Sequence, residues 1–77
     1  MSKRTFNLDL LGLKCPFPVL KITKKFKEIR VGDQMNVQVD DPKAEIDIEE
    51  LVKNINIKIL EKKKIKKSHL LVKLIKY

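Results

Sequence analysis

The sequence predicts an α/β (α+β) two-layer sandwich: a four-stranded mixed sheet with two helices on one face, in the order β-α-β-α-β-β. Three observations lead there. The spacing of apolar residues switches repeatedly between a period of two, which suits a strand, and one near 3.6, which suits a helix. Clusters of Gly, Pro and Asp fall where the period changes. The chain has 77 residues, enough for one hydrophobic core and no second, so residues 1–77 are expected to form one domain. Two helices cannot bury their apolar stripes alone, and the sheet is the surface that covers them.

The first strand is read from Phe6, Leu8 and Leu10, which alternate with Thr5, Asn7 and Asp9. Leu11-Gly12-Leu13-Lys14-Cys15 breaks that alternation and reads as a turn. From Pro16 the period lengthens, and Val19, Ile22, Phe26 and Ile29 fall on one helical stripe while Lys21, Lys24, Lys25 and Lys27 point elsewhere. Pro16 suits the first helical position, where its missing N–H is not needed. The helix closes before the turn Val31-Gly32-Asp33. Met35, Val37 and Val39 then mark a second strand, stopped by Asp40-Asp41-Pro42-Lys43. Asp47, with Glu50 three residues on, has the spacing of a capping box and opens the second helix. Ile48, Leu51, Val52 and Ile55 form its stripe, and Asn56 ends it. Ile57 and Ile59 alternate with lysine in a third strand reaching Lys63. Leu70, Val72 and Leu74 mark a fourth.

Composition narrows the function classes. About 0.05–0.15 kcal/mol per residue gives an expected stability of roughly 4–11 kcal/mol, reached without staples. One cysteine cannot make an internal disulfide, and Cys15 with the lone His69 cannot build a four-ligand zinc site. A reducing cytosol is the expected compartment. Met1-Ser2-Lys3-Arg4-Thr5-Phe6 leads into strand-like residues without the apolar stretch of a signal peptide, and no run reaches the ~18 apolar residues of a membrane span. The net charge of +8 points to acidic partners, nucleic acid among them. Lysine is frequent along the whole sequence, which favours solvated exteriors. The run Lys62-Lys63-Lys64-Ile65-Lys66-Lys67-Ser68 reads as a solvated hairpin tip whose charges discourage edge pairing. Phe6, Phe17, Phe26 and Tyr77 are the only aromatic residues, too few for a base-stacking platform.

No Gly-rich phosphate loop, GxSxG, HExxH or CxxC is present. Cys15-Pro16-Phe17-Pro18 remains. An arbitrary intracellular cysteine is more often a small core hydrophobe, but a core filler has no need of two prolines at a strand–helix junction. The helix dipole there contributes about 0.3–1 kcal/mol, up to ~2, towards an anion. That suffices to move a thiol pKa from about 8.5 towards about 7. Lys14 adds positive charge. Pro16 and Pro18 remove N–H donors and stiffen the start of the helix, so a modest acidification is expected.

At these residues the chain resembles the TusA (SirA-like) family of sulfur-carrier proteins. Leu11-Gly12-Leu13-Lys14-Cys15-Pro16-Phe17-Pro18 matches its glycine-leucine-basic-CPxP signature, and Asp40-Asp41-Pro42 followed by Asp47-Ile48 matches a second landmark. The likeness runs from about Phe6 to Lys76. It implies the same β-α-β-α-β-β sandwich and a carrier-type sulfurtransferase in which Cys15 accepts sulfane sulfur as a persulfide and passes it on. No other cofactor is implied. In that reading Gly12, Pro16 and Pro18 shape the loop, Lys14 steadies the anion or steers an acidic partner, and Asp41 with Pro42 holds the neighbouring turn. The implied partners are a cysteine desulfurase or other persulfide donor, and a downstream relay protein. An indirect link to tRNA through wobble-uridine thiolation is implied as well. A cytoplasmic monomer with no membrane contact is expected. The segment Asp47–Asn56 lacks the small, Gly-containing stretch common in the family before the third strand, and the lysine load is heavy. Two further readings stand beside this one: a basic RNA-binding module with an incidental Cys15, and a regulatory interaction protein without chemistry.

Overall fold

The computed structural model describes residues 4–77; the reading of Met1–Lys3 as part of the lead-in to the first strand lies outside them. The elements are β1 (Thr5–Asp9), α1 (Phe17–Glu28), β2 (Gln34–Val39), α2 (Pro42–Leu51), β3 (Ile57–Lys64) and β4 (Leu70–Lys76). The sheet order is β1-β2-β4-β3. Parallel strands cannot be joined by a tight turn, and β1 pairs parallel with β2 across the α1 crossover. β4 returns antiparallel to both β2 and β3 and lies between them. The fold class and element order expected from the sequence are those observed.

Alternation in the strands decides which face is buried. Met35, Val37 and Val39 of β2 and Val72 and Leu74 of β4 are at most 1% exposed. They share one cluster with Ile22 and Ile29 from α1 and with Ala44 and Ile48 from α2, so both helices lie on this face. The opposite face carries Gln34, Asn36, Gln38, Leu71, Lys73 and Ile75, which alternate with the buried set. A register shift between Ile59 and Glu61 bulges β3 at Leu60. Beyond the bulge the alternation is reversed: Glu61 and Lys63 stand opposite Lys73 and Leu71, and Lys62 and Lys64 stand opposite Val72 and Leu70. The bulge thus turns Lys62 towards α2, where its Nζ lies 3.2 Å from Glu45 and 3.3 Å from Glu49.

Several local readings are corrected. Pro16 occupies the N-cap of α1, not its first helical position, and α1 begins at Phe17. The second helix starts five residues before Asp47. Pro42 sets its first turn, and Asp41, extended at φ −99° and ψ 122°, is the N-cap that accepts a bond from the Lys43 N–H. Asp47 and Glu50 are therefore interior residues of α2 and make no capping box. The helix ends at Leu51, so Val52 and Ile55 lie in the following turn, although both still pack on the core. Lys62 to Lys64 belong to β3, and the hairpin loop is 65–69. At the far end of α1, the Lys76 Nζ donates to the carbonyls of Phe26 and Ile29 at 2.8 Å each and sits 4.3 Å from the Phe26 ring centre. A cation on the last carbonyls of a helix is the favourable sign for its dipole.

Asp33 is the one buried charged residue of the described chain, 7% exposed. Its carboxylate accepts the N–H groups of Arg4 at 3.1 Å and Arg30 at 3.0 Å, which ties the start of β1 to the turn before β2.

Candidate functional site

Cys15 lies on the loop between β1 and α1, and its side chain is exposed. Gly12 opens the loop with φ +84°, a conformation that side chains rarely adopt, and nothing lies within 4 Å of where a Cβ would sit. Glycine is required here by the backbone and not by crowding. Two aspartates at the end of β2 fasten the loop. The Gly12 N–H donates to Asp40 Oδ1 at 2.9 Å, and the Cys15 N–H donates to Asp41 Oδ2 at 3.0 Å. Because Asp41 Oδ1 also accepts the Lys43 N–H at 3.1 Å, one carboxylate joins the cysteine loop to the first turn of α2. Loop and helix are therefore held in a fixed relation by charge-assisted bonds. The Cys15–Pro16 peptide bond is cis.

The thiol borders a groove of about 310 Å³ between the two helices. Pro16 and Val19 form one wall; Asp47, Glu50, Leu51 and Asn54 of α2 and its following turn form the other. Pro18 is buried beneath the loop, while Phe17 and Leu20, 54% and 55% exposed, stand outside the core. The structure thus brings Gly12, Cys15, Pro16 and Asp41 together as one unit. Lys14 is exposed, and its charge acts on Asp41; the cation that acts on the thiol is Lys43.

The expected acidification of the thiol is overturned. Cys15 is held above the ordinary thiol value, first by hydrogen bonding to the Asp47 carboxylate, then by desolvation and by the negative charges of Asp47 and Asp41, with Lys43 opposing them. The reason lies in the helix start. Pro16 and Pro18 have no N–H to offer; the Cys15 N–H is used by Asp41, and that of Phe17 by the Lys14 carbonyl at 2.8 Å. The helix start therefore offers the sulfur no N–H donor, and the Asp47 and Asp41 carboxylates favour the protonated thiol. Sequence reasoning missed Asp40 and the groove role of Asp47. The spacing of Asp47, Glu50 and Leu51 at i, i+3 and i+4 was the available signal, since it sets three residues on one helical face.

Two pH effects are expected from these charges. Asp47→Asn removes the negative charge that favours the protonated thiol and leaves only a weaker amide acceptor, so the Cys15 pKa falls. Alkylation of Cys15 by iodoacetamide at neutral pH then becomes several-fold faster, and the midpoint of its pH–rate profile moves down. An unchanged or raised midpoint would contradict this electrostatic account. Separately, Asp33 and Asp41 are held below the usual carboxylate range, chiefly by the backbone N–H groups of Arg30 and Arg4 for the first, and of Cys15 and Lys43 for the second. Their folded pKa values lie below the unfolded value near about 3.9. The stability they supply is therefore complete above that value and is lost as pH falls through the folded values. Thermal melting followed down through the acid range should show this loss, and Asp33→Asn should flatten the acid limb. An acid limb as steep as that of the parent would show that Asp33 does not contribute.

The comparisons agree on one family. The family described as "Sulfurtransferase TusA" matches residues 7–75. A "Putative sulfur carrier protein" of Archaeoglobus fulgidus is 39% identical over 59 residues, which is 77% of either chain. The "Putative sulfur carrier protein YrkF" of Bacillus subtilis is 33% identical over 54 residues, 70% of this chain and 29% of that longer one. The crystal structure of a SirA-like protein from Desulfitobacterium hafniense superposes with a TM-score of 0.80, covering 91% of this chain and 95% of that one at 21% identity, a likeness of fold. With the matched region taking in the fastened cysteine loop and all of the sheet but Thr5, Phe6 and Lys76, the chain belongs to the TusA (SirA-like) sulfurtransferase family.

Proposed function

We propose that this protein carries sulfur as a persulfide on Cys15 and relays it between two protein partners in the cytoplasm. The observation that carries the reading is an exposed thiol whose own backbone N–H is fixed to Asp41. The sulfur can be reached by a partner, and the backbone that presents it is tied to the first turn of α2. The names of the relatives from Archaeoglobus fulgidus and Bacillus subtilis support the same reading.

In the loading step the Cys15 thiolate attacks the outer sulfur of a donor persulfide. The Cys15 S–S bond forms, the donor S–S bond breaks, and the donor leaves as a thiolate. In unloading, an acceptor thiolate attacks the outer sulfur and Cys15 departs as the thiolate. No external oxidant or reductant enters either step. The raised thiol pKa lowers the thiolate fraction at neutral pH but makes each thiolate more nucleophilic. Gly12, Pro16 and Pro18 shape the loop, and Asp41 positions it. The exposed Phe17 and Leu20 beside the groove offer apolar contact to whichever partner is docked.

The donor we assign is a cysteine desulfurase or another persulfide-bearing protein, and the acceptor is a further relay protein with tRNA wobble-uridine thiolation downstream. Intact-mass spectrometry tests the carrier step. After incubation with a desulfurase and cysteine, and without reductant, a species heavier by one sulfur atom is expected, mapping to the peptide that holds Cys15. A mass that does not change, or a sulfur mapped elsewhere, would reject the proposal.

A further inference from the structure

The positive charge of the chain is unevenly placed. Residues 57–77, the β3–β4 hairpin and Tyr77, hold eight lysines against one acid, Glu61; the other 56 residues hold ten cations against nine acids. α1 holds four lysines against Glu28 and α2 four acids against Lys43, so the two helices cancel as a pair, and nearly all of the surplus of +8 belongs to one hairpin. Among the described residues, Lys62 is its one lysine in an ion pair, and Lys76 is engaged by the α1 carbonyls. Lys58, Lys63, Lys64, Lys66, Lys67 and Lys73 have no carboxylate partner among the described residues.

This surplus lies at the sulfur end of the molecule. Leu70 pairs with Val39, so the 65–69 turn abuts the end of β2, where Asp40 and Asp41 hold the Cys15 loop. Lys64 and Lys67 line a cavity of about 200 Å³ together with Asp41, Pro42 and Glu45. The carboxylates there are engaged internally: Asp40 by the Gly12 N–H, Asp41 by the N–H groups of Cys15 and Lys43, and Glu45 by Lys62. The lysines of the tip have no such neutralising contact.

We propose that the β3–β4 hairpin binds the phosphodiester backbone of RNA, laid from the 65–69 tip, at the Cys15 end of the molecule, onto the open sheet face. The proposal does not rest on the sulfur-carrier reading. Protein interfaces are poor in lysine and rich in arginine and aromatic residues, whereas this hairpin has lysine, no arginine and one aromatic, Tyr77. Surface-lying membrane anchors set a basic face against a broad apolar one on a helix. Here the open face mixes Lys58, Lys63 and Lys73 and the carboxamides Asn7, Gln34, Asn36 and Gln38 with the separate apolar side chains Leu71 and Ile75, and has no broad apolar surface. Carboxamides both donate and accept, as the ribose 2′-hydroxyl does. Without aromatic platforms on that face, binding is to the backbone, tolerant of sequence and steep in salt.

The test is fluorescence anisotropy of labelled, unfractionated tRNA titrated with the full chain between about 50 and 200 mM salt. Log affinity is expected to fall linearly with log salt. The triple variant Lys64→Gln, Lys66→Gln, Lys67→Gln should reduce the magnitude of that slope by about 2 and weaken binding at least tenfold. The variant Lys21→Gln, Lys24→Gln, Lys27→Gln removes the same charge from α1 and should change little, as should Cys15→Ser. Absence of tRNA binding at the lowest salt would overturn the proposal. Equal losses from the two triple variants would overturn it too, as would single-stranded DNA or phosphatidylglycerol vesicles bound as tightly as tRNA. Because sulfur loading is not part of the readout, failure of the carrier reading leaves this test unaffected.

Discussion

Replacing Cys15 with serine is expected to reduce labelled sulfane sulfur on the protein to background. Loading requires an atom that forms and breaks an S–S bond, and a serine hydroxyl does neither under these conditions. No other residue of the chain can substitute, because Cys15 is the sole cysteine. The change is also structurally mild. The side chain is exposed, and the bond that fixes the loop comes from the backbone N–H to Asp41, which serine retains. Transfer of ³⁵S from a cysteine desulfurase, followed by removal of small molecules and a reductant chase, is the measurement. The parent should hold reductant-labile label and the variant none, with identical thermal melting for both. Equal labelling would remove the carrier proposal altogether. Loss of label together with loss of the melting transition would contradict the claim that the site is separable from the fold.

Leu74→Ala carries the largest expected cost in stability. Leu74 is 0% exposed in the strand between β2 and β3, with Met35 and Ile59 as its neighbours across the sheet. Truncating a fully buried leucine costs about 2–5 kcal/mol, because the cavity left behind collapses only in part. Set against an expected total of roughly 4–11 kcal/mol, that is a large share. A domain of this size loses about 4–8 °C in Tm per kcal/mol, so melting should fall by about 10 °C or more. Leu60→Ala, at the bulge and 45% exposed, changes the same side chain without emptying the core and should move Tm far less. If the two variants melt alike, packing under β4 does not dominate stability.

Strands and the first helix were legible because their signals are local. Thr5–Asp9 and Gln34–Val39 alternate on a two-residue period, and Val19, Ile22 and Phe26 recur at helical spacing. The cysteine was legible for a similar reason: two flanking prolines make its neighbourhood unusual within four residues. The start of the second helix was misread because two capping patterns compete there. Asp47 and Glu50 have the right spacing, but Asp41 before Pro42 makes the actual cap, and its carboxylate also takes an N–H from the loop at Cys15, twenty-six positions away. The β3 bulge, which turns Lys62 towards Glu45 and Glu49, has no mark in the strand's own run of lysines.

The sequence by itself determined the order of elements and singled out the Cys15 sulfur by its two following prolines, since each depends on residue type and short-range spacing. Only the tertiary structure decided the state of that atom. Asp41 and Asp47 belong to the β2–α2 half of the chain, and it is the stacking of both helices on one face of the sheet that brings their carboxylates to the sulfur. Electrostatic interactions fall with distance through space and take no account of separation along the chain. A local helix dipole can therefore be read from four residues, while the carboxylates that oppose it become visible only once the chain is folded.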